Sequence, residues 1–189
     1  MKSIFLQDDF LSKSKCNKLI EYQKNNSPNN FDKGFWNSRI VQNYDKSIEK
    51  ITDYIHSKIS ILCSEFYQED YVYLEFTNLV YWGPGMELEP HADNYFIHEP
   101  TKPHYSQHRD YSSILYLNDN FQGGETYFPE YNFSIKPKTG RLAIFTSGSN
   151  HIHGVKKVLS GDRYTLATWF TKRKSKSLFN SIKDLVQTD

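Results

Sequence analysis

Cysteine is scarce in this sequence, which contains only Cys16 and Cys63. Both fall in segments whose apolar spacing is typical of helices, and their separation does not match a metal-binding motif. Because disulfides are rare in reducing compartments, two isolated cysteines favour reduced thiols in the core of a cytoplasmic protein.

An excess of charge and a long apolar run are also missing. Lys and Arg total 23 against 22 Asp and Glu, for a net charge of +1. This balance provides no overall field to attract nucleic acid or an anionic membrane, so we expect neither as a partner. The opening MKSIFLQDDF has acidic residues where a signal peptide needs its apolar run, and no segment approaches the ~20 apolar residues of a membrane span.

Aromatic residues, in contrast, are plentiful. The 189 residues include 14 Tyr and 13 Phe, which suit strands and a large internal cavity better than a helical bundle. A chain of this length favours a single domain, so we predict one domain over residues 1–189.

Two helices are predicted in a supporting region over about residues 10–68. After Ser12, a plausible N-cap, apolar residues at positions 16, 19, 20 and 22 indicate a short amphipathic helix. A second helix is indicated over residues 45–66, where apolar positions 48, 51, 55, 59, 62 and 66 repeat at spacings of three and four. His56 lies beside that stripe and is interpreted as a structural histidine.

From about residue 71 to 171 the pattern changes to short runs rich in Tyr, Val, Ile, Phe and Thr. Turn signals divide them: GPG, NDN, QGG and KPKTG. Many short strands behind helices predict a mainly β, α+β protein, with a sandwich or barrel supported by helices on one side. The basic stretch after residue 171 leads into a predicted final helix over about residues 175–187.

The first chemical signal is the segment EPHADNY, in which His91 and Asp93 would project from the same face of a strand. Alone, this pair is more often an ordinary surface pair than a metal site. The segment NHIHGV adds His151 and His153, which would share a strand face, so that geometry alone allows either to be a third ligand. Two histidines and one carboxylate are typical of oxygen-activating non-haem Fe(II), although a catalytic zinc fits them too.

Arg163 follows His153 by ten positions, one predicted strand later. A buried arginine facing a metal cavity implies an anionic small-molecule partner, because guanidinium binds carboxylates in a bidentate manner. An arginine paired with a surface acid is the alternative, but Tyr164 and Leu166 beside it suggest a barrel wall.

The segments WGPGMELEPHAD, YSSILYLNDNFQGGETYF, KPKTGRLAIF and HGVKKVLSGDRYTLATWF stand in the order seen in Fe(II)- and 2-oxoglutarate-dependent dioxygenases. Over residues 79–170 the chain most resembles the prolyl 4-hydroxylase branch. The resemblance implies a double-stranded β-helix, a jelly-roll fold related to cupins. It implies His91, Asp93 and His153 as iron ligands, with His153 favoured over His151 by its offset from Arg163 and by the following Gly-Val.

The resemblance also implies residues for the co-substrate. Arg163 would hold the distal carboxylate of 2-oxoglutarate, and the hydroxyl of Tyr116 would reach the same carboxylate, although Tyr116 also suits a core position. Thr126, at the end of the tight turn GGET, is expected to line the cavity. Trp82 is a departure, since the family commonly has a tyrosine there, nine residues before the first histidine ligand. Tyr81 is adjacent but would point to the other face of a regular strand.

The implied reaction hydroxylates an unactivated C–H bond, with 2-oxoglutarate as co-substrate, dioxygen as oxidant, and release of succinate and CO2. Fe(II) would be the metal and ascorbate an additional reductant. A prolyl residue in a peptide or protein is the expected substrate. Residues 94–111, which contain His98, His104 and His108, would form a loop that closes over a bound chain. A second metal site built from these three histidines is the alternative for the loop.

Other functions stay open at this point. A related oxygenase could act on a small metabolite or on alkylated nucleic acid, although Trp169 stands where those demethylases usually have a further arginine. A non-catalytic jelly-roll binding module would not call for His91, Asp93, His153 and Arg163 around one cavity. A zinc hydrolase on a cupin-like barrel would have no use for Arg163 at its metal.

Overall fold

Both helices lie in the first 67 residues and ten of the twelve described strands follow them, as the change in apolar spacing predicts, although two short strands lie among the helices. A computed structural model describes residues 4–27, 36, 38–42, 44–99 and 101–178. Helix α1 spans Lys13–Asn26 and helix α2 spans Glu49–Tyr67. Cys16 lies on the buried face of α1 and Cys63 on that of α2, and both are free thiols, which confirms the prediction of core cysteines.

The described residues form twelve strands. They are β1 (Phe5–Gln7), β2 (Ile40–Val41), β3 (Tyr73–Trp82), β4 (Leu88–His91), β5 (Tyr111–Tyr116), β6 (Gln122–Gly123), β7 (Thr126–Phe128), β8 (Phe133–Ile135), β9 (Leu142–Thr146), β10 (His153–Val155), β11 (Val158–Ser160) and β12 (Arg163–Thr171). The sequence pattern did not predict β1, β2, β6 and β11, which have two or three residues each.

Two antiparallel sheets form the framework. The larger has the strand order β1-β9-β5-β12-β3-β2 and the smaller has the order β4-β10-β7-β8, while β6 and β11 pair as a separate ribbon. Side chains from both sheets line one cavity. The arrangement is the double-stranded β-helix that the resemblance implies.

The core lies on both faces of the larger sheet. On the outer face, Leu79, Leu115 and Leu166 pack with the apolar stripes of α1 and α2. On the inner face, Ile114 and Tyr116 pack against Phe128 and Phe145. Because side chains alternate along a strand, the residues that face the cavity occupy every second position of β3 and β12.

The described residues include only part of the predicted C-terminal region. The helix predicted over about residues 175–187 lies mostly outside the described residues, and Lys174–Lys176 form a single 3-10 turn. The prediction of one domain over residues 1–189 stays a prediction. Within the described part of the chain, no helix is both long enough and apolar enough to span a membrane.

Candidate metal and co-substrate site

Two strands and the segment after one of them bring three potential metal ligands together. His91 ends β4 and is the direct cross-strand partner of His153, the first residue of β10. Asp93 follows His91, and its backbone N–H donates to the carbonyl of Ser147 at 2.9 Å. Its two carboxylate oxygens lie 3.5 Å from Nε2 of His91 and 3.7 Å from Nε2 of His153.

Both histidines are oriented by backbone carbonyls. Nδ1 of His91 is 3.0 Å from the carbonyl oxygen of Glu89, and Nδ1 of His153 is 2.9 Å from that of His151. A neutral imidazole that donates from Nδ1 keeps the lone pair on Nε2. Each ring therefore directs an available Nε2 toward Asp93. Metal-bound histidines are commonly oriented in this way, by a hydrogen bond from the other ring nitrogen.

Hydroxyl groups fix the carboxylate. Ser112 Oγ donates to Oδ2 of Asp93 at 2.6 Å and lies 2.7 Å from Ser147 Oγ. Ser106 Oγ donates to the backbone carbonyl of Asp93 at 2.7 Å. Asp93 is thus held by side chain and main chain, while its side-chain oxygens still face the two imidazoles.

The charge states suit a metal. Burial opposes ionisation of Asp93, but His153, His91 and the Ser112 hydroxyl together hold the pKa of the carboxyl below its usual range. Burial lowers the pKa of His153 to about 4, although Asp93 opposes the shift. Burial also acts to lower the pKa of His91, yet hydrogen bonding to Asp93 leaves it raised. At neutral pH the site therefore offers a carboxylate and a neutral His153 imidazole, the forms that coordinate metals.

These residues fit a divalent metal that keeps open coordination positions. One ligating atom from each of His91, Asp93 and His153 lies within 4.8 Å of the others, and no other group of three or more such residues occurs in the described chain. Two imidazoles and one carboxylate form the set typical of oxygen-activating Fe(II).

His151 is placed differently from the prediction. It ends a 3-10 turn, Ser149–His151, and does not share a strand with His153. Its side chain is fully buried, and Nδ1 accepts a hydrogen bond from the backbone N–H of Thr146 at 3.2 Å and lies 2.7 Å from the Thr146 hydroxyl. The expected shared strand face is therefore wrong, because the chain turns between the two histidines. His151 contributes its carbonyl to His153, and its ring supports the turn.

Arg163 opens β12 and is buried, with 1% of its surface exposed. Nε donates to the carbonyl of Gly124 at 2.9 Å, and the two Nη groups lie 3.4 Å from the hydroxyls of Thr165 and Thr126. Burial lowers the pKa of the guanidinium, while nearby Tyr116 opposes this. No ion pair links Arg163 to a carboxylate in the described residues. A buried cation at a cavity without a counter-ion suits an anionic ligand.

Tyr116 and Thr126 join the same cluster. Tyr116 is fully buried, and its hydroxyl donates to Thr126 Oγ1 at 2.7 Å. Its ring centroid is 5.3 Å from the guanidinium carbon of Arg163. Gly124 has φ +67°, and a Cβ at this position would lie 3.0 Å from the Arg163 side chain. The turn GGET thus needs glycine so that its backbone can approach the arginine.

Trp82 faces this cluster and Tyr81 does not. The Trp82 ring lies 5.3 Å from the guanidinium carbon of Arg163 and 4.3 Å from that of Arg39. Burial lowers the pKa of Arg39 to about 10, and the charge of Arg163 acts in the same direction. Tyr81 turns outward and donates to Asp162 at 3.1 Å. The opposite orientations of Trp82 and Tyr81 confirm the strand alternation, and the tyrosine hydroxyl common in the family is replaced by an indole.

A cavity with a volume of about 790 Å³ is lined by Arg163 and Trp82, whereas the fully buried Tyr116 and Thr126 are not among its lining residues. Its wall includes alternate residues of β3 (Phe76, Asn78, Val80, Trp82) and of β12 (Arg163, Thr165, Ala167, Trp169). These are cross-strand partners in the register Trp82–Arg163, Val80–Thr165, Asn78–Ala167 and Phe76–Trp169. The cavity therefore runs from a cationic end at Arg163 to an aromatic end at Trp169.

The aromatic end contains residues that sequence reasoning missed. The rings of Phe76 and Trp169 stack with centroids 6.2 Å apart, and the guanidinium carbon of Arg109 lies 4.4 Å from the Trp169 ring. Glu75 fixes this corner by accepting from Nε of Arg109 at 2.8 Å and pairing with Nε2 of His108 at 3.1 Å. The sequence carries no local signal for this cluster, because its members come from separate segments.

The loop histidines lie near the cavity without forming a second metal group in the described chain. His98 is exposed, and His108 is paired with Glu75. Nδ1 of His104 is 2.8 Å from Ser106 Oγ, and its ring packs on Phe96 with centroids 4.4 Å apart. His98 and His104 line the cavity, so the loop forms one of its walls, and its closure over a bound chain stays a prediction.

Comparisons with known proteins agree with this geometry. Residues 76–171, just over half of the chain, match the 2OG-Fe(II) oxygenase superfamily. Prolyl 3-hydroxylase 2 of Homo sapiens is 44% identical over 91 residues, which cover 43% of this chain but 13% of that protein. The chain therefore matches only a small part of this longer relative.

Solved structures share the fold at lower identity. The viral collagen prolyl hydroxylase of Paramecium Bursaria Chlorella virus-1, in a 2OG complex, has a TM-score of 0.67 and 22% identity, covering 90% of this chain and 96% of its own. A prolyl hydroxylase from Trichoplax adhaerens, in complex with a hypoxia inducible factor peptide fragment, has a TM-score of 0.69 and 18% identity, covering 93% of this chain and 86% of its own. With the matched family and the grouped ligands, these findings identify the chain as a member of the 2OG-Fe(II) oxygenase superfamily.

Proposed function

We propose that this oxygenase hydroxylates prolyl residues in an extended peptide or protein segment. The observation that supports this proposal best is the aromatic end of the cavity, where Trp169, Phe76 and the Arg109 guanidinium meet. The sequence relative named a prolyl 3-hydroxylase and the prolyl hydroxylase neighbour with a bound peptide fragment agree with it.

In this proposal His91, Asp93 and His153 bind Fe(II). The metal, when bound, supplies the activation of dioxygen that couples decarboxylation of 2-oxoglutarate to C–H hydroxylation. The protein contributes the ligand geometry: two carbonyls orient the imidazoles, and Ser112 orients the carboxylate. With these contacts the protein would occupy three coordination positions of the metal. The other positions would stay open for the reactants.

Arg163 binds the distal carboxylate of 2-oxoglutarate. Its guanidinium is buried at the cationic end of the cavity, and the hydroxyls of Thr126 and Tyr116 lie beside it. A carboxylate here would receive charge-assisted hydrogen bonds in a site largely shielded from water. This contact would leave the keto acid end of the molecule directed toward the three metal ligands.

The opposite end suits a proline ring. Pro-rich segments dock in aromatic-lined grooves as preformed extended helices, and flat apolar rings such as Trp169 and Phe76 bind them with little loss of entropy. Among the described residues Arg109 donates only from Nε, so no hydrogen-bond acceptor there would compete with a peptide carbonyl for its Nη groups. Tyr105, 80% exposed, stands at the mouth of the cavity and extends the aromatic surface.

The direct test is turnover of proline peptides. The protein would be loaded with Fe(II) and incubated with 2-oxoglutarate and isotope-labelled dioxygen. The expected products are a hydroxyprolyl peptide and succinate, each carrying one labelled oxygen atom, and the position of the hydroxyl on the ring would be read by NMR. In Trp169→Ala we expect peptide hydroxylation to be lost while slow, substrate-free succinate formation persists. The proposal would be contradicted if the wild type formed succinate at the same rate with and without peptide and oxidised no peptide.

We propose two further features, a cellular location and a reductant. The two free, buried thiols agree with a reducing compartment, and hence with a cytoplasmic location. Ascorbate is proposed as a reductant that restores Fe(II) after unproductive cycles. It should increase the number of turnovers without changing the initial rate.

A further inference from the structure

Asn78 stands out among the polar residues of the cavity wall because its side-chain oxygen has no partner. Asn78 is 8% exposed, and its Oδ1 is fully buried without a hydrogen bond among the described residues. It lies in the row of β3 that faces the cavity, opposite Ala167 of β12. Asn78 is one of the residues that line the cavity, and its neighbour Ala167 in the same wall has a short side chain.

Polar residues on the other face of the same strands are satisfied. The hydroxyl of Thr77 lies 3.1 Å from that of Thr168 and 3.3 Å from the carbonyl of Ala167. A buried polar atom that lacks a partner costs about 1–3 kcal/mol of stability, and an apolar group of similar shape avoids that cost. The unpaired amide of Asn78 is therefore a feature that the fold alone does not explain.

The position of Asn78 in the cavity places its amide where the peptide substrate, and not 2-oxoglutarate, would lie. Asn78 lies four residues from Trp82, roughly 13 Å along a β-strand. It is thus well removed from the cationic end at Arg163 and only two residues from Phe76 at the aromatic end. Between these two ends the reacting part of the substrate must lie, if the cavity is used as proposed above.

We propose that Asn78 recognises the main chain of the peptide substrate, at a residue next to the reacting proline. A carboxamide has one donor and one acceptor side. In an extended chain the N–H and C=O of one residue point the same way, so one amide side chain can bind both. Proline has no N–H, and the residue that satisfies Asn78 Oδ1 must therefore be a neighbour that is not proline. This inference rests on the proposed function and adds a sequence preference to it.

The test combines two proteins with two peptides. Wild type and Asn78→Leu would be assayed with a blocked peptide of alternating proline and alanine, and with a matched peptide in which each alanine is N-methylated. For the wild type, N-methylation should lower kcat/KM roughly fivefold to fiftyfold, the value of one buried hydrogen bond. Asn78→Leu should lower turnover of the unmethylated peptide by a similar factor, and N-methylation should then have little further effect.

Folding and co-substrate binding provide independent readouts. Asn78→Leu should unfold at a higher temperature than the wild type, because it removes an unsatisfied polar group, and should bind 2-oxoglutarate as before. Thr77→Val is the matched control on the outer face and should reduce stability without changing the preference between peptides. The inference alone is overturned if Asn78→Leu turns over the alternating peptide at the wild-type rate, if it responds to N-methylation as the wild type does, or if it is less stable. Wild type that oxidises neither peptide overturns the proposed function, and the inference with it.

Discussion

Trp82 and Arg163 are direct cross-strand partners, and the guanidinium carbon of Arg163 lies 5.3 Å from the indole ring. The ring of Tyr116 flanks the same guanidinium at the same distance. Arg163 is therefore held between two aromatic faces, with Nε fixed by the Gly124 carbonyl. The indole cannot offer the hydroxyl that a tyrosine would, but it orients the cation that is proposed to bind the co-substrate.

We predict that Trp82→Leu weakens 2-oxoglutarate binding, because it removes one face of this enclosure. A desolvated cation–π contact is worth about 1–2 kcal/mol, which corresponds to a dissociation constant roughly fivefold to thirtyfold higher. Anaerobic titration of the visible charge-transfer band of the Fe(II) protein with 2-oxoglutarate measures this constant. Trp82→Phe keeps an aromatic face and should lie close to the wild type.

The matched control for this prediction is Trp169→Leu, which removes a tryptophan from the other end of the same cavity. It should leave the 2-oxoglutarate titration unchanged. If Trp82→Leu also leaves it unchanged, Arg163 is positioned by Tyr116 and the Gly124 carbonyl without help from the indole.

A second prediction concerns Ser112, whose hydroxyl donates to Asp93 at 2.6 Å. Ser112→Ala should reduce Fe(II) affinity about tenfold to a hundredfold, since hydrogen-bond partners of metal ligands typically contribute that much. Titration calorimetry under anaerobic conditions provides the measurement. Ser113→Ala is the control, because Ser113 is equally buried but donates to the carbonyl of Thr168 instead. Ser113→Ala should cost about 1 kcal/mol of stability without changing metal affinity.

The sequence predicted much of this architecture because the strongest patterns are local. The apolar stripes at positions three and four apart predicted α1 and α2, and alternation predicted the opposite orientations of Tyr81 and Trp82. The spacing of His91 and Asp93, together with the offset between His153 and Arg163, indicated which residues to consider as a site, and the structure brings the first three together. Their roles as ligands stay a prediction.

Features that depend on tertiary pairing could not be read in the same way. Glu75 meets Arg109 and His108 only because β3 lies beside the end of the loop before β5. The missing partner of Asn78 is visible only when every neighbour is known. The expected strand through His151 was wrong because period-two spacing also occurs by chance in a turn that leads into a strand.

A third prediction separates the two neighbouring histidines. His153→Ala should abolish Fe(II) binding and the 2-oxoglutarate charge-transfer band, because it removes a proposed ligand. His151→Ala should keep both, because the carbonyl that orients His153 belongs to the backbone. The second variant should instead lose about 1–3 kcal/mol of stability, since the Thr146 N–H loses its acceptor. Loss of metal binding in a folded His151→Ala protein would contradict this assignment.

The last prediction concerns acid stability and His56 on α2. Burial lowers the pKa of His56 to about 4 from its ordinary value of 6.5, and its Nε2 is buried without a hydrogen bond among the described residues. Because the unfolded chain takes up the proton first, stability should be fully present above pH 6.5 and fall as the pH decreases toward 4, by about 3 kcal/mol in all. In His56→Leu this contribution disappears. As the pH decreases from 6.5 to 4, the free energy of unfolding of the variant, measured by urea unfolding, should therefore rise progressively relative to that of the wild type. His98→Leu, at an exposed loop position, is the matched control. Parallel pH profiles for wild type and His56→Leu would show that His56 takes up its proton equally well in the folded state, and that the acid sensitivity of the fold lies elsewhere.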